Sequence, residues 1–209
     1  MKLTFVTIQY SDRYKKHGRK SMAMAEGQKI VIDNRNNKKF TSAAAALNWA
    51  KSKATGDWII FFQEDLLFKN KPAKFVKLIK KLPKNCCVFG LWGKQCKKFG
   101  GRSRVVRPTL GFNEVCTIDE MLIGFKNNKW LDFDEETFNS WHCYGKDLCK
   151  KAQMKGKSVY TIPFRAAHAR GGFAVSIHLK KKQRQKRWQQ FYKYYKRLKK
   201  KHSLCCHYN

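Results

Sequence analysis

The run Trp58-Ile59-Ile60-Phe61-Phe62 limits the fold more than any other stretch of the chain. An uninterrupted apolar segment, opened by the Gly56-Asp57 turn and closed by Gln63-Glu64-Asp65, suits a strand covered on both faces. Such a strand needs helices on either side of its sheet, and the flanking segments supply them. Leu3 to Gln9 and Lys29 to Asp33 are β-rich. Asp12 to Glu26 is polar and partly helical, with Gly18 weakening the helix. Ser42 is a candidate N-cap for an alanine-rich helix over Ala43 to Lys53. Pro72 opens a helix reaching about Leu82, and Cys86 to Trp92 is a further strand. This β-α-β-α-β alternation predicts an α/β domain with a mostly parallel central sheet. Sheets of that class bind ligands beyond the carboxyl ends of their strands, where Asp33 and Glu64-Asp65 fall.

The second half is less regular. Gly93 to Pro108 is a loop rich in Gly, Lys and Arg, and Glu114 to Phe125 resumes strand character. Trp130 to Trp141 is dense in aromatics and acids. Tyr144 to Lys155 is helical and stops at Gly156, a C′ glycine. Ser158 to Ile162 is a last strand, closed by Pro163. Ser176 to Lys201 is a basic helix whose Trp188, Phe191, Tyr192, Tyr195 and Leu198 recur at spacings of three and four, a stripe expected to dock on the rest of the chain. The organisation is therefore one domain over 1–175 and a basic C-terminal helical extension over 176–209, with no internal repeat.

The chain carries 46 Lys and Arg against 14 Asp and Glu, a net charge of +32. With 43% hydrophobic and 14% aromatic residues it is not a disordered basic tail. Self-repulsion at this charge makes nucleic acid the leading partner, with an anionic membrane surface second. No stretch approaches the ~20 apolar residues of a membrane-spanning helix. The apolar start, Met1 to Tyr10, is too short for a secretory signal, so the expected compartment is cytoplasmic. The eight cysteines include the adjacent pairs Cys86-Cys87 and Cys205-Cys206, lack a C-x-x-C knuckle, and are expected to be reduced thiols. A zinc site at Cys205, Cys206 and His207 lacks a defined fourth ligand.

In a chain so short of carboxylates, their positions carry information. Glu64, Asp65, Asp119, Glu120, Asp132, Asp134, Glu135, Glu136 and Asp147 gather at strand ends and in one aromatic loop, and no acid follows Asp147. Glu64-Asp65 is either a hard-metal site or a polar strand terminus. Asp147, near a helix start, is either a compensating charge for the helix dipole or a general base. His142, beside Trp141 and Tyr144, is either a phosphate or acceptor contact or a packed core histidine.

Taken in order, these segments resemble the GT-A glycosyltransferases of the family-two type. The resemblance lies in Ile30-Val31-Ile32-Asp33-Asn34, in Ala46-Leu47-Asn48-Trp49-Ala50 leading to Gly56-Asp57, and in Trp58 to Asp65. It continues through Asp147-Leu148-Cys149-Lys150-Lys151-Ala152-Gln153-Met154-Lys155-Gly156, then Val159 to Pro163 and His168. Phe133-Asp134-Glu135 with Trp141-His142-x-Tyr144-Gly145-x-Asp147 is similar to one small branch of that group. The resemblance covers roughly residues 1 to 172. It implies a Rossmann-like GT-A domain in which Thr7, Gln9 and Asp33 line the base and ribose of a nucleotide-sugar, such as a UDP-sugar. It implies Asp65 as ligand of a Mn²⁺ or Mg²⁺ ion on the donor diphosphate and His168 as a further metal or phosphate contact. Asp119 would touch donor or acceptor sugar, and Asp147 would be the general base of an inverting transfer. The family's acidic triplet stands here as Gln63-Glu64-Asp65, where only Asp65 is the expected member.

The family does not fix the acceptor. Cations at Arg102, Arg104 and Arg107, with Lys181, Arg184 and Arg187 in the last helix, are expected to form a bed for phosphates, and Trp141 and His142 are further candidate acceptor contacts. The expected acceptor is a hydroxyl on a modified DNA base such as a 5-hydroxymethylpyrimidine, an activity suited to a virus that masks its own DNA. The alternatives are a saccharide acceptor at an anionic membrane, or a non-catalytic nucleic-acid-binding protein.

Overall fold

The computed structural model describes residues 1–95, 104–107, 111–168 and 181–202. Cys96, Arg102, Cys205, Cys206 and His207 lie outside the described residues. Five strands of the central sheet run in one direction: β1 (Leu3–Gln9), β2 (Gln28–Asp33), β3 (Trp58–Phe62), β5 (Cys86–Gly90) and β11 (Ser158–Thr161). Two run against them, β8 (Asn113–Glu114) at the edge and β10 (Leu122–Lys126) between β3 and β5. The order is β2-β1-β3-β10-β5-β11-β8.

Alternation along the strands explains the apolar run. On β3, Ile59 and Phe61 enter one core and Trp58, Ile60 and Phe62 the other; on β1, Val6 and Ile8 oppose Leu3 and Phe5. The first core is covered by α2 (Ala43–Lys53) and α4 (Tyr144–Met154), the second by α1 (Arg19–Met24) and α3 (Lys74–Lys80). The result is a three-layer α/β domain. Ser42 caps α2, its Oγ accepting the Ala45 N–H at 3.2 Å. Gly156, at φ 67°, ends α4 in the left-handed conformation a side chain resists.

Two short ladders complete the frame. β4 (Leu66–Phe68) pairs antiparallel with β12 (Ala166–His168). β6 (Gly93–Lys94) lies between β7 (Val105–Val106) and β9 (Thr117–Ile118). The strand expected over Glu114 to Phe125 is three strands, because Val115-Cys116 and the turn Asp119-Glu120-Met121 break it. Gly18 ends a π-helical turn (Tyr14–Gly18) that runs directly into α1. A Cβ at Gly18 would lie 2.3 Å from the Glu64 carbonyl oxygen, so the glycine that weakens the helix also lets it approach the end of β3.

The basic helix is α5 (Lys181–Lys201). It docks on the first core through buried Tyr194 and Leu198, with Phe191 and Tyr195 partly buried beside them. The expected stripe divides: Trp188 and Tyr192 remain 47% and 54% exposed, and Tyr194 joins the seam. Cys86, Cys87, Cys143 and Cys149 are free and buried, and burial pushes their thiols up to about 12, 11, 12 and 12. Cys116 is disulfide-bonded, which corrects the expectation of reduced thiols throughout.

Candidate active site

The parallel strands deliver their carboxyl ends to one side of the sheet. Register places Gln9 beside Asp33. One turn beyond β3, Asp65 meets the end of β12: His168 Nδ1 lies 3.2 Å from Asp65 Oδ1. The two metal candidates named from the sequence, 103 positions apart, are thus neighbours, because β4 and β12 pair Leu66 with His168. Burial raises the Asp65 pKa, but the hydrogen bond and charge of His168, with help from Arg13, outweigh it and hold the carboxyl below its ordinary value. The pair fits Mn²⁺ or Mg²⁺. One carboxylate oxygen and one imidazole nitrogen, both partly open to solvent, leave the other positions for phosphate oxygens and water. No group of three or more His, Cys, Asp or Glu side chains with metal-binding arrangement occurs among the described residues.

Glu64 has a different task. Its Oε2 accepts the N–H groups of Tyr10 (2.8 Å) and Ser11 (2.9 Å), and its Oε1 accepts the Ser11 hydroxyl (2.6 Å). It ties the loop after β1 to the end of β3. Thr7 is wholly buried and its hydroxyl donates to the Phe62 carbonyl at 2.8 Å. Its hydroxyl is thus turned to the end of β3 and not to solvent. Gln9 is buried at the strand end. Asp33 is exposed to half-buried and held by Arg35, whose Nε reaches Oδ1 at 2.9 Å and Nη2 reaches Oδ2 at 2.5 Å. These bonds lower its pKa to about 2. Asp33, Arg35, Asn36, Lys38 and Lys39 line a cleft of about 380 Å³.

Asp119 is exposed in the turn between β9 and β10; its Oδ1 accepts the Met121 N–H at 2.9 Å and its own N–H donates to the Trp92 carbonyl at 2.8 Å. Arg107 lies over the Trp92 ring at 5.2 Å, so it belongs to the same rim, and Arg104 is exposed farther out on the hairpin. Trp141 packs edge-on against Tyr10 at 4.5 Å, and the His142 ring stands 6.2 Å from Phe191 of α5. Lys181, Arg184 and Arg187 lie on α5, with side chains outside the described residues.

Asp147 is where the expectation and the geometry part. Its side chain is 0% exposed. Oδ1 lies 2.9 Å from Lys201 Nζ and 2.7 Å from His202 Nε2, and Oδ2 faces Lys151 Nζ at 3.5 Å. Lys201 also reaches Asp134 at 2.5 Å. The end of α5 therefore closes over Asp147, which in this arrangement has no surface facing an acceptor. Glu120, which was not among the candidate site residues, lies in the turn before β10. It is half-buried, and its Oε1 accepts the Gly145 N–H at 3.1 Å at the start of α4. Its signal in the sequence was its place among the acids gathered at strand ends, beside Asp119.

Neither a protein-family model nor a curated protein sequence significantly matches this chain. Solved structures do match in shape. GalNAc-T7 with UDP, GalNAc and Mn²⁺ aligns at a TM-score of 0.56 and 11% identity, over 80% of this chain and 44% of that one. The mannosyltransferase PcManGT from Pyrobaculum calidifontis, in complex with GDP-Man and Mn²⁺, aligns at 0.56 and 15%, over 84% and 60%. TarS 1–349 of S. aureus in complex with UDP aligns at 0.52 and 16%, over 78% and 58%. This chain thus spans about half the length of those it resembles. At these identities the likeness concerns the fold, and the fold is that of the GT-A glycosyltransferases.

Proposed function

We propose that the chain is a metal-dependent glycosyltransferase that moves a sugar from a nucleoside-diphosphate sugar to a hydroxyl on a modified base of DNA, such as a 5-hydroxymethylpyrimidine. The observation that carries the reaction class is the Asp65–His168 pair at the carboxyl side of a GT-A sheet. Neighbours of the same fold hold UDP or GDP-Man together with Mn²⁺. A divalent ion bound by Asp65 and His168 would neutralise a donor diphosphate and stabilise it as leaving group.

The chain's own groups supply the rest. The Asp33 carboxylate, kept ionised and oriented by Arg35, suits ribose hydroxyl donors at the mouth of its cleft. Glu64 fixes the Tyr10-Ser11 backbone, and Tyr10 and Trp141 together wall the acceptor side. The sugar's transfer inverts at the anomeric carbon in a single in-line displacement.

The DNA acceptor is supported by charge and by α5. That helix exposes Trp188 and Tyr192 next to Lys193 and Lys196, a pairing of aromatic faces with cations that suits stacked bases and phosphates. A target base inside a duplex would have to be extruded to reach the cleft. None of the described helices is long and apolar enough to cross a membrane.

Incubation with labelled UDP- and GDP-sugars, Mn²⁺ and either hydroxymethylated DNA or saccharide acceptors tests both levels. Transfer to DNA is the expected result. Transfer to saccharide alone would replace the acceptor, and failure to bind any nucleotide with Mn²⁺ in calorimetry would refute the reaction class.

A further inference from the structure

We infer that Glu120, rather than Asp147, is the carboxylate that takes the proton from the acceptor hydroxyl. The inference rests on the transfer reaction proposed above and goes beyond it in assigning the base.

Position comes first. The turn holding Glu120 runs beside the end of β3, since the Gln63 N–H donates to the Met121 carbonyl at 3.0 Å and Leu122 pairs with Phe62. Glu120 therefore sits next to the segment that carries Asp65. The start of α4 gives its side chain a seat. The Gly145 N–H donates to Oε1, and a Cβ on Gly145 would lie 2.8 Å from Ile123 Cδ1 and 2.9 Å from Glu120 Cγ. A side chain at 145 would press on both, so the glycine in Tyr144-Gly145-Lys146 leaves the space that these two side chains share.

Electrostatics agrees with geometry. The charged and titratable groups around Glu120 are Lys146, Asp119, Cys143, Tyr144 and Cys149. Burial and Asp119 raise its proton affinity, against Lys146 and the amides of Gly145 and Cys143; the net shift is upward from the ordinary carboxylate value. A base is most effective when its pKa approaches the working pH. Lys146, whose charge acts on the Glu120 carboxylate, also holds its Nζ 5.6 Å over the Phe191 ring of α5.

In the step itself, the acceptor oxygen forms a bond to the anomeric carbon. The bond from that carbon to the diphosphate oxygen breaks, and its electron pair leaves with the nucleoside diphosphate. The hydroxyl proton passes to the Glu120 carboxylate, which becomes a carboxylic acid and later returns the proton to solvent. Asp147 anchors α5 and takes no part.

The competing role for Glu120 is a cap for α4. Glu120→Gln separates the two, because its amide oxygen still accepts the Gly145 N–H. The expected result is a fall in kcat of about 10²–10⁴-fold, with the donor KM and thermal midpoint near wild type and the acidic limb of the pH–rate profile gone. Glu120→Asp keeps a carboxylate and should retain that limb at a lower rate; loss of the limb in Glu120→Asp would overturn the assignment even if Glu120→Gln folds poorly. Wild-type transfer with undiminished turnover in Glu120→Gln overturns the base assignment alone. Absence of transfer by the wild type to any acceptor overturns the reaction reading and this assignment with it.

Discussion

Replacing Asp147 by Asn should destabilise the fold. The carboxylate is fully buried; it neutralises Lys201 at 2.9 Å and holds the His202 ring nitrogen Nε2 at 2.7 Å, both delivered by the end of α5. His202 is itself only 4% exposed in its side chain, so its ring has little access to water once the acceptor charge is gone. Removing one partner of a buried pair costs about 3–5 kcal/mol. Lys201 keeps Asp134 and is 27% exposed, which puts the loss at the low end, about 3 kcal/mol. For a domain of this length each kcal/mol moves the melting midpoint by about 2–4 °C, so a drop of roughly 6–12 °C is expected. Calorimetry at pH 7 on wild type, Asp147→Asn, Lys201→Met and the double variant would read it, and the cycle should give a coupling of about 1–3 kcal/mol. Raising the salt should change that coupling little, because the pair is screened from solvent. Trypsin should also cut within α5 faster once the anchor is lost. A midpoint for Asp147→Asn within about 1 °C of wild type, with turnover abolished, would refute the reasoning and return Asp147 to the role of base.

Other outcomes follow from single contacts. Asp65→Ala should abolish Mn²⁺-dependent nucleotide binding in calorimetry while leaving the melting midpoint nearly unchanged, since its partner His168 stays partly exposed. Gly18→Ala brings a methyl to 2.3 Å from the Glu64 carbonyl oxygen, and should cost about 1–3 kcal/mol by urea unfolding, with donor affinity falling as the Glu64 turn shifts. Asp134 is held below its ordinary pKa, burial opposing but the Lys201 and Thr137 hydrogen bonds prevailing. Its contribution is therefore present above the unfolded value of about 3.9 and is lost as pH falls below it, so Asp134→Asn should show a shallower acid-side loss of stability than wild type. Cys86, Cys143 and Cys149, pushed up to about 12, should be unlabelled by iodoacetamide at pH 8, where only about one thiol in 10⁴ is ionised, until denaturant is added.

Much of the frame was legible because it depends on local chemistry. Ser42 caps the helix it precedes, Gly156 ends the helix it follows, and the apolar run at Trp58–Phe62 is buried on both faces as its pattern requires. What was not legible depends on distant pairing. Nothing in the spacing of Asp65 and His168 indicates contact; the family resemblance brought them together on paper, and the β4–β12 ladder does so in the molecule. The spacing around Asp147 suits a helix start, but what encloses it arrives from residues 54 and 55 positions later. The aromatic stripe of α5 misled for another reason. With aromatics at 188, 191, 192, 194 and 195, periods of three and four select more than one face, and only the shape of the first core decides that Tyr194 enters and Tyr192 stays out.

The scarcity of acids takes on a mechanical meaning in the fold. Asp132 pairs with Lys51 of α2, Glu135 with Asn48, Asp134 and Asp147 with Lys201, and Glu64 with the loop after β1. Each is a tie between segments, made where an unpaired cation or amide would otherwise be left. With these carboxylates engaged in ties within the fold, the net charge of +32 has few free acids to offset it. The carboxylates left near the strand ends, Asp33, Asp65, Asp119 and Glu120, then face a cationic surround that includes Arg13, Arg35, Arg107 and Lys146. Under the proposed function, a site of that composition would attract a polyanion while offering the carboxylates that a cation and a proton require. The same surround makes binding of any polyanionic acceptor fall steeply with salt, whereas the Asp65–His168 contact with a metal depends on salt far less. An acceptor affinity indifferent to salt between about 50 and 200 mM would therefore separate the charge from the function and leave a saccharide as the better acceptor.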